Sequence, residues 1–230
     1  LPLDLLVYEA DDPGAQRAVA GARARLLPVS GQRRPAGGSG PEAGRLWLGD
    51  VALDLGREHA ADPIFLVDAA AAGSAALEVG ATPEGIAAAL GAFRPPHHRR
   101  EVVGCWDGVT WVDDSKATNP HAAVAAIRAY GSVVLIAGGR NKGLDVASIS
   151  AEPGVRHVIG MGEAGPEMVA AARSGTLVGS MVEAVALADR LARPGDTVLL
   201  APGCASFDMF RSYAHRGEVF ADAVRQLKGA

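Results

Sequence analysis

The second half of the chain alternates short apolar segments with helix-like stretches, and this alternation restricts the fold more than any other feature. A hairpin across Asp107-Gly108 opens this half, and its second strand is predicted to end at Asp113. Strand-like segments follow at Val133–Ala137, Val158–Gly160, Thr176–Val178 and Thr197–Ala201. Strands separated by helices need crossover connections, which are right-handed and give parallel pairing. The sequence therefore predicts an α/β fold with a mostly parallel sheet and helices on both faces.

The first part of the chain has a different organisation and ends at a proline pair. Helices are predicted over Leu66–Val79 and Thr82–Phe93, and Arg94-Pro95-Pro96 stops the second one. We place a domain boundary there, with residues 1–96 in the first domain and residues 97–230 in the second. The other elements predicted for the first domain are a strand over Leu5–Tyr8, a helix from Pro13 to about Ala22, a strand over Arg25–Val29, a loop over Gly31–Gly44, and a hairpin of Leu46–Leu48 with Val51–Leu55.

Composition limits the classes of function. A formal net charge of −4 gives no basic surface for nucleic acid, and no apolar stretch has the length of a membrane span. Two cysteines are too few for a disulfide framework or a cysteine-built zinc site, so we expect a reducing, cytoplasmic location. The chain begins without Met or a basic leader, directly before a strand, and we expect that it continues a longer polypeptide.

The segment Trp111–Pro120 concentrates the most chemistry, at a strand-to-helix junction where open α/β sheets bind ligands. Asp114 can accept hydrogen bonds from ribose hydroxyls or help to hold a cation, and Lys116 can neutralise a phosphate or carboxylate. Thr118 and the free N–H groups of the helix start can donate to an anion. The alternative is that Asp and Asn only cap turns here, which does not account for the lysine between them.

Two more loops follow predicted strands. Ala137–Gly143 carries Lys142 and paired glycines, which would allow its backbone to approach a ligand; the alternative is a solvated surface turn. Leu200–Phe210 places Ser206 near the next helix start. Phe207 and Tyr213 are predicted to form walls of the same site. Cys204, in the same segment, has no predicted base beside it and is interpreted as a packing residue.

Two other patterns are weaker. His98-Arg99-Arg100-Glu101 lies at the domain boundary, where Arg99 could clamp a phosphate when two domains close; the alternative is a salt bridge to Glu101. His98 alone is not a metal-ligand set. Gly160–Gly165 matches a dinucleotide-binding pattern but lacks an acidic residue at the end of the next strand, so we interpret it as a structural turn.

Together these strings resemble the Mur ligases, and Lys116 with Thr118 resembles the branch that adds D-glutamate. The matching strings, in the order of the family, are His98-Arg99-x-Glu101, Asp114-Ser115-Lys116-Ala117-Thr118-Asn119, Gly138-Gly139-x-x-Lys142, Pro202-x-Cys204-Ala205-Ser206-x-Asp208-x-Phe210 and Gly217-Glu218-Val219-Phe220. The resemblance implies the C-terminal part of a P-loop-type ATPase central domain, followed by a Rossmann-like domain that binds D-glutamate.

The resemblance also implies roles for individual residues. Arg99 and Asp114 are expected to contact the phosphates and ribose of ATP, with Lys116 near the reacting phosphate as the catalytic residue. The residues expected to hold D-glutamate are Thr118, Lys142, Ser206, Phe207 and Tyr213, the last in place of the usual Phe. The implied activity is ATP-dependent addition of D-glutamate to UDP-N-acetylmuramoyl-L-alanine through an acyl phosphate, in peptidoglycan synthesis, by a monomer.

Some family features have no match in this sequence. No G-x-x-x-x-G-K-[ST] loop occurs, and the family's phosphate loop and Mg²⁺ ligands would precede Leu1, so we expect no catalysis by this chain alone. Glu9 stands where the family has an Asn that contacts adenine. The family's second adenine-contacting segment falls by spacing on Ile64–Asp68, without a clean match. His59–Asp62 resembles that segment only weakly and at a shifted position. The alternatives are therefore a non-catalytic nucleotide- or dicarboxylate-binding paralogue, or a sister ligase that adds another amino acid.

Overall fold

A computed structural model of the chain describes residues 4–55 and 63–229. The chain forms two compact units that divide between Arg94 and Pro95. Within the described ranges, no helix is both long enough and apolar enough to cross a membrane.

The first unit combines a parallel strand pair, a small antiparallel sheet and two longer helices. Its elements are β1 (Leu5–Glu9), α1 (Pro13–Val19), β2 (Arg25–Val29), β3 (Gly40–Glu42), β4 (Arg45–Leu48), β5 (Val51–Leu53), α2 (Pro63–Glu78) and α3 (Pro83–Ala92). Asp12 begins α1 as predicted, because its carboxylate accepts hydrogen bonds from the N–H groups of Gly14 and Ala15. The core of this unit lies where Phe65 and Leu66 of α2 pack with Leu46 and Leu48 of β4.

Two predictions for the first unit are wrong in detail. The segment predicted as a loop over Gly31–Gly44 contains β3, which pairs with β4 across a turn at Ala43 and Gly44, both with positive φ. The predicted hairpin is present as β4 with β5, and it is part of a three-stranded sheet. Helix α1 ends at Val19 and not near Ala22, since Gly21 adopts a φ of +83° that a right-handed helix cannot contain.

The second unit has the predicted alternation of strands and helices. Its elements are β6 (Glu101–Trp106), β7 (Val109–Asp113), α4 (Pro120–Arg128), β8 (Val133–Gly138), α5 (Ala147–Ser150), β9 (Val155–Met161), α6 (Gly165–Ala171), β10 (Gly175–Leu177), α7 (Met181–Leu191), β11 (Thr197–Leu200) and α8 (Tyr213–Lys228). They form one six-stranded sheet in the order β10-β9-β8-β11-β7-β6, in which only β6 runs antiparallel to its neighbour. The predicted fold class is confirmed.

The core of the second unit lies on both faces of this sheet. Along β8, Val133 and Leu135 face one side, and Val134 and Ile136 face the other, as the two-residue period of a strand requires. Helices α4, α5 and α6 contribute to the first cluster of buried side chains, and α7 and α8 contribute to the second. Every residue of β8 is buried, so the loop that follows it starts from the rigid centre of the sheet.

Strand β11, the last strand in the sequence, lies between β7 and β8. Thr197 to Leu200 pair in parallel with Thr110 to Asp113 on one side and with Val133 to Ile136 on the other. The carboxyl ends of β7, β11 and β8 are therefore neighbours at one edge of the sheet.

Candidate active site

The three loops singled out in the sequence follow these three adjacent strands. We name them the β7 loop (residues 114–119), the β11 loop (residues 201–212) and the β8 loop (residues 139–143). Since parallel strands end at the same edge, all three loops emerge side by side.

The β8 and β11 loops are joined by a two-way backbone bridge. The N–H of Arg140 donates to the carbonyl of Ala205 at 2.9 Å, and the N–H of Ala205 donates to the carbonyl of Arg140 at 3.1 Å. Ser206 directly follows this bridge, and Lys142 follows Arg140 by two residues. The bridge therefore holds the loop segments that carry the buried Ser206 and the exposed Lys142 side by side.

The paired glycines of this region have a different role from the one predicted. Gly138 and Gly139 have φ of +122° and +124°, and a Cβ on Gly138 would lie 2.0 Å from the carbonyl oxygen of Met161. A Cβ on Gly139 would lie 2.3 Å from the carbonyl oxygen of Ala205. The close approach that needs glycine is thus to the backbone of neighbouring loops, and an approach of this loop to a ligand stays a prediction.

The β7 loop is tied to β11 and to the loop after it. The N–H of Asp114 donates to the carbonyl of Leu200 at 2.9 Å, and the N–H of Gly203 donates to the carbonyl of Ala117 at 2.9 Å. Asn119 begins α4 by accepting from the N–H of Ala122 at 2.9 Å, so the capping interpretation holds for that residue. Backbone bonds therefore fix the frame from which Lys116 and Thr118 project.

Arg216 on α8 is a site residue that the sequence interpretation missed. Its guanidinium is buried and donates to the hydroxyl and carbonyl oxygens of Ser115 and to the carbonyl oxygen of Cys204. Burial lowers the pKa of Arg216 to about 10, which leaves it charged at neutral pH. One buried cation thus joins α8 to the β7 and β11 loops. The only sequence signal for it is an arginine on the apolar side of an amphipathic helix.

His98 and Asp113 form a second, partly buried connection. The Nδ1 atom of His98 lies 2.7 Å from Oδ2 of Asp113, and the other carboxylate oxygen accepts from the N–H of Ser115 at 2.8 Å. The carbonyl of His98 accepts from the N–H of Lys116 at 3.0 Å. Burial raises the pKa of Asp113, against the hydrogen bond from His98. A Cβ on Gly217 would lie 2.2 Å from the His98 ring, so α8 can approach this pair only with a glycine there.

Glu101 lies close to this pair. Ligand atoms of His98, Glu101 and Asp113 lie within 4.8 Å of one another. Nδ1 of His98 and Oδ2 of Asp113 already form a hydrogen bond, and Glu101 accepts from the N–H of His98 at 2.9 Å. These contacts account for the cluster as a hydrogen-bonded network. His97 also contacts Glu101, with its Nδ1 atom 3.2 Å from the carboxylate.

Asp114, one of the residues predicted to contact the nucleotide, has a buried carboxylate. It is 6% exposed, and Oδ1 accepts from the N–H of Arg100 at 3.2 Å. Burial raises the pKa of Asp114 to about 6, opposed by that hydrogen bond and by the charges of Arg100 and Arg99. Arg99 itself is exposed. The carboxylate is therefore held in place by backbone while it titrates near neutrality.

The remaining predicted residues differ in exposure. Lys116 is exposed, and its Nζ lies 5.9 Å from the centroid of the Tyr213 ring, within the range of a cation–π contact. Phe207 is 68% exposed and Tyr213 39% exposed, whereas Thr118 is partly buried. Aromatic surface thus remains open to solvent beside an ammonium group.

Cys204 belongs to the buried core of the sheet. Burial raises the pKa of its thiol to about 11, opposed by the charge of Arg216. The thiol is therefore protonated at neutral pH and unsuited to nucleophilic attack.

In the first unit, the segment expected to contact adenine packs differently. Phe65 is buried in the core, with its ring centroid 5.8 Å from that of Phe93. Of the Glu9–Asp12 segment, Asp12 caps α1 and Asp11 accepts from the hydroxyl of Ser30 at 2.5 Å. The weakly similar segment His59–Asp62 lies outside the described residues.

Comparison with known proteins gives consistent matches. Residues 98–204 match the model of the Mur ligase glutamate ligase domain. The UDP-N-acetylmuramoylalanine–D-glutamate ligase of Rubrobacter xylanophilus is 44% identical over 229 residues, which are 96% of this chain and 51% of that protein. The ligase of the same name from Frankia casuarinae is 49% identical over 175 residues, which are 73% of this chain and 37% of that protein. The chain thus spans about half, or less, of the length of these relatives.

Solved structures share the fold at low sequence identity. MurF from Thermotoga maritima in complex with ADP superposes with a TM-score of 0.61 at 17% identity, over 99% of this chain and 55% of that one. A bifunctional folylpolyglutamate synthase/dihydrofolate synthase from Yersinia pestis gives a TM-score of 0.63 at 19% identity, over 99% of this chain and 53% of that one. These structural likenesses show the fold, and the matched domain together with the identity to the two ligases shows that the chain belongs to the Mur ligase family.

Proposed function

We propose that this chain is part of an ADP-forming ligase that adds D-glutamate to UDP-N-acetylmuramoyl-L-alanine in peptidoglycan synthesis. The observation that carries the proposal is the adjacency of β7, β11 and β8, which brings the loops with Lys116, Ser206 and Lys142 to one edge of the sheet. The ammonium group of Lys142 and the hydroxyl of Ser206 are chemically suited to the carboxylates of an amino acid, and the ammonium group of Lys116 is suited to a phosphate beside it. The names of the relatives from Rubrobacter and Frankia support the same substrate.

The two domains are proposed to bind different substrates. Residues 1–96 belong to the ATP-binding central domain, and residues 97–230 bind D-glutamate. Lys142 and Ser206 bind its carboxylates, with Thr118 as an additional donor and with Phe207 and Tyr213 against its methylene groups. Fixing the substrate in this way presents its amine to the acyl carbon of an acyl phosphate.

The nucleotide is proposed to lie over the β7 loop. Asp114 accepts hydrogen bonds from ribose hydroxyls, Arg99 contacts the phosphates, and Lys116 stabilises the negative charge that develops on the transferred phosphoryl group. The loop offers a single carboxylate near this position, which does not by itself make a Mg²⁺ site. We therefore assign the Mg²⁺ ligands and the phosphate loop to another part of the polypeptide.

The test uses the full-length polypeptide and measures KM for both substrates. We expect Lys142→Ala and Ser206→Ala each to raise KM for D-glutamate by about tenfold or more, since a hydrogen bond to a charged group contributes roughly 1.5–3 kcal/mol. KM for ATP should change by less than about twofold, because neither residue is assigned to the nucleotide. Ser148→Ala, an exposed serine on α5, serves as the control. An unchanged KM for D-glutamate in both variants would contradict the proposal.

A non-catalytic nucleotide- or dicarboxylate-binding paralogue is the second candidate. Glu9 at the position of an expected amide, and the burial of Phe65 in the core, favour it. Release of ADP by the full-length polypeptide with D-glutamate and the UDP-linked acceptor would exclude this candidate. A panel of other amino acids in the same assay separates a sister ligase from the D-glutamate enzyme.

A further inference from the structure

The turn after β9 lies at the same edge of the sheet as the proposed site. We name residues 162–164 the β9 turn; it contains the middle of the glycine pattern that resembles a dinucleotide loop. Strand β9 pairs with β8, so this turn is the neighbour of the β8 loop. Gly162 has a φ of +69°, which a side chain would strain.

The space beside Gly162 is filled by the carboxylate of Asp208 from the β11 loop. A Cβ on Gly162 would lie 2.3 Å from Oδ2 of Asp208 and 3.1 Å from the backbone of Gly139. The same Oδ2 accepts a hydrogen bond from the N–H of Glu163 at 2.9 Å. Oδ1 of Asp208 is buried and has no hydrogen-bond partner within the described part of the chain. Asp208 as a whole is partly buried, but leaving its buried Oδ1 atom unsatisfied is costly, so the position of this carboxylate is imposed by its surroundings.

From the β9 turn, backbone hydrogen bonds lead directly to the proposed substrate residues. Gly139 donates to the carbonyl of Met161 at 3.1 Å and accepts from the N–H of Ala164 at 2.9 Å. The next residue, Arg140, forms the two-way bridge with Ala205. Asp208 lies two residues after Ser206, so the carboxylate closes a ring of contacts through the β9 turn, the β8 loop and the β11 loop.

We propose that Asp208 is a positioning residue, which fixes the β9 turn against the β8 loop and thereby holds Lys142 and Ser206 at the spacing that binds the amino-acid substrate. This inference rests on the proposed function for its substrate, but the ring of contacts is independent of it. Asp208 acts through the backbone N–H of Glu163, and no contact with substrate is assigned to it. An aspartate suits the position because its short carboxylate reaches that N–H while its backbone remains in the β11 loop.

The test combines hydrogen–deuterium exchange with steady-state kinetics on the full-length polypeptide. We expect Asp208→Ala to speed amide exchange by about tenfold or more in peptides covering residues 137–143 and 161–165, because the local opening there becomes easier. KM for D-glutamate should rise by about tenfold, with KM for ATP within about twofold. Asp208→Asn keeps an acceptor oxygen for the Glu163 N–H, so both its exchange and its KM should stay near wild type.

Two further variants sharpen the comparison. Glu163→Ala removes an exposed side chain but keeps the backbone N–H that Asp208 binds. The side chain pairs with Arg140 at 3.5 Å, but both groups are solvated and such a pair contributes little, so this variant should exchange like wild type. Gly162→Ala pushes the same carboxylate away from the turn, so it should show the same faster exchange and raised KM that are expected for Asp208→Ala. It therefore provides the test if Asp208→Ala folds poorly.

The outcomes separate the two proposals. Unchanged exchange over residues 137–143 in both Asp208→Ala and Gly162→Ala would overturn the positioning role, as would equal effects of Asp208→Ala and Asp208→Asn. A wild-type polypeptide that does not use D-glutamate would refute the proposed function, while the exchange data would still decide whether Asp208 holds the loops.

Discussion

Arg216 donates hydrogen bonds to both oxygens of Ser115, a residue 101 positions earlier in the chain, with Nε to Oγ and Nη2 to the carbonyl each at 2.9 Å. The Ser115 hydroxyl in turn donates to the carbonyl of Tyr213 at 2.7 Å. Lys116 and Tyr213, two residues assigned to the proposed site, are therefore each attached to this one contact through the backbone.

Removal of the Arg216 guanidinium should destabilise the second unit. Arg216→Met leaves oxygens of Ser115 and Cys204 buried without donors, so we expect a loss of about 3 kcal/mol or more in the free energy of unfolding. Arg216→Lys should also be destabilising, because one ammonium cannot replace a planar fork of donors. Urea unfolding followed by the fluorescence of Trp106 and Trp111 measures both. The exposed Arg190 on α7 is the control, since Arg190→Met should change stability by less than about 0.5 kcal/mol.

Two glycines of the β8 loop should respond very differently to alanine. Gly143 has a φ of +76° with nothing within 4 Å of an added Cβ, so Gly143→Ala should cost only the backbone strain, about 1 kcal/mol. Gly139 has a φ of +124°, further from the left-handed region that alanine can adopt, and Gly139→Ala also places a Cβ 2.3 Å from the carbonyl oxygen of Ala205. We expect a loss of at least about 3 kcal/mol and faster amide exchange at Arg140. Equal destabilisation by the two variants would contradict the close approach.

Asp114 should make stability depend on pH in a defined direction. Its pKa is raised from 3.8 to about 6 on folding, so the folded state binds the proton more tightly than the unfolded state. The stability that this group contributes is present below about pH 4 and is lost as the pH rises to about 6, by up to about 3 kcal/mol. Comparison of urea unfolding for wild type and Asp114→Asn across this range isolates the effect. A difference between the two proteins that does not vary with pH would contradict the raised pKa.

Tyr213 should act through its ring and not through its hydroxyl. The ring lies edge-on to His98, with centroids 6.3 Å apart, and within cation–π range of Lys116. We expect Tyr213→Phe to change KM for D-glutamate by less than about twofold, because the ring is kept. Tyr213→Leu should raise that KM several-fold. It loses the cation–π contact, which contributes about 0.5–1 kcal/mol at an exposed position, and the packing of the ring edge on His98. Steady-state kinetics of the full-length polypeptide give both values. A large effect of the Phe variant would show that the hydroxyl binds substrate.

The strands of the second unit could be predicted because each is a short aliphatic segment between polar or glycine-rich turns. The prediction placed the strand at Val158–Gly160 correctly but short, because Arg156 and His157 interrupt the apolar pattern within β9. The order of the strands could not be predicted, since it depends on which edges pair in space. The adjacency of β7, β11 and β8 is therefore a result of the structure.

The contacts of Arg216 and Asp208 that hold the loops of the candidate site together could not be predicted from the sequence either. Arg216 and Asp208 are charged residues in segments where solvated side chains are the usual expectation, and their partners are far away in the sequence. For Gly139, the sequence indicated a close approach correctly, but the approaching group is a carbonyl of the same protein. Lys116, Lys142 and Ser206 could be predicted as site residues because each lies in a loop that follows a strand, and their roles stay predictions.

The central position of β11 has a consequence for how the protein is made. Strands β7 and β8 leave the ribosome before β11, so neither has its shared neighbour until residues 197–200 have been synthesised. Until then both strands present unpaired edges, which are the kind of surface that associates with other chains. The nascent second unit therefore depends on its final third for completion, and a product truncated before Thr197 would be a target for chaperones and proteases.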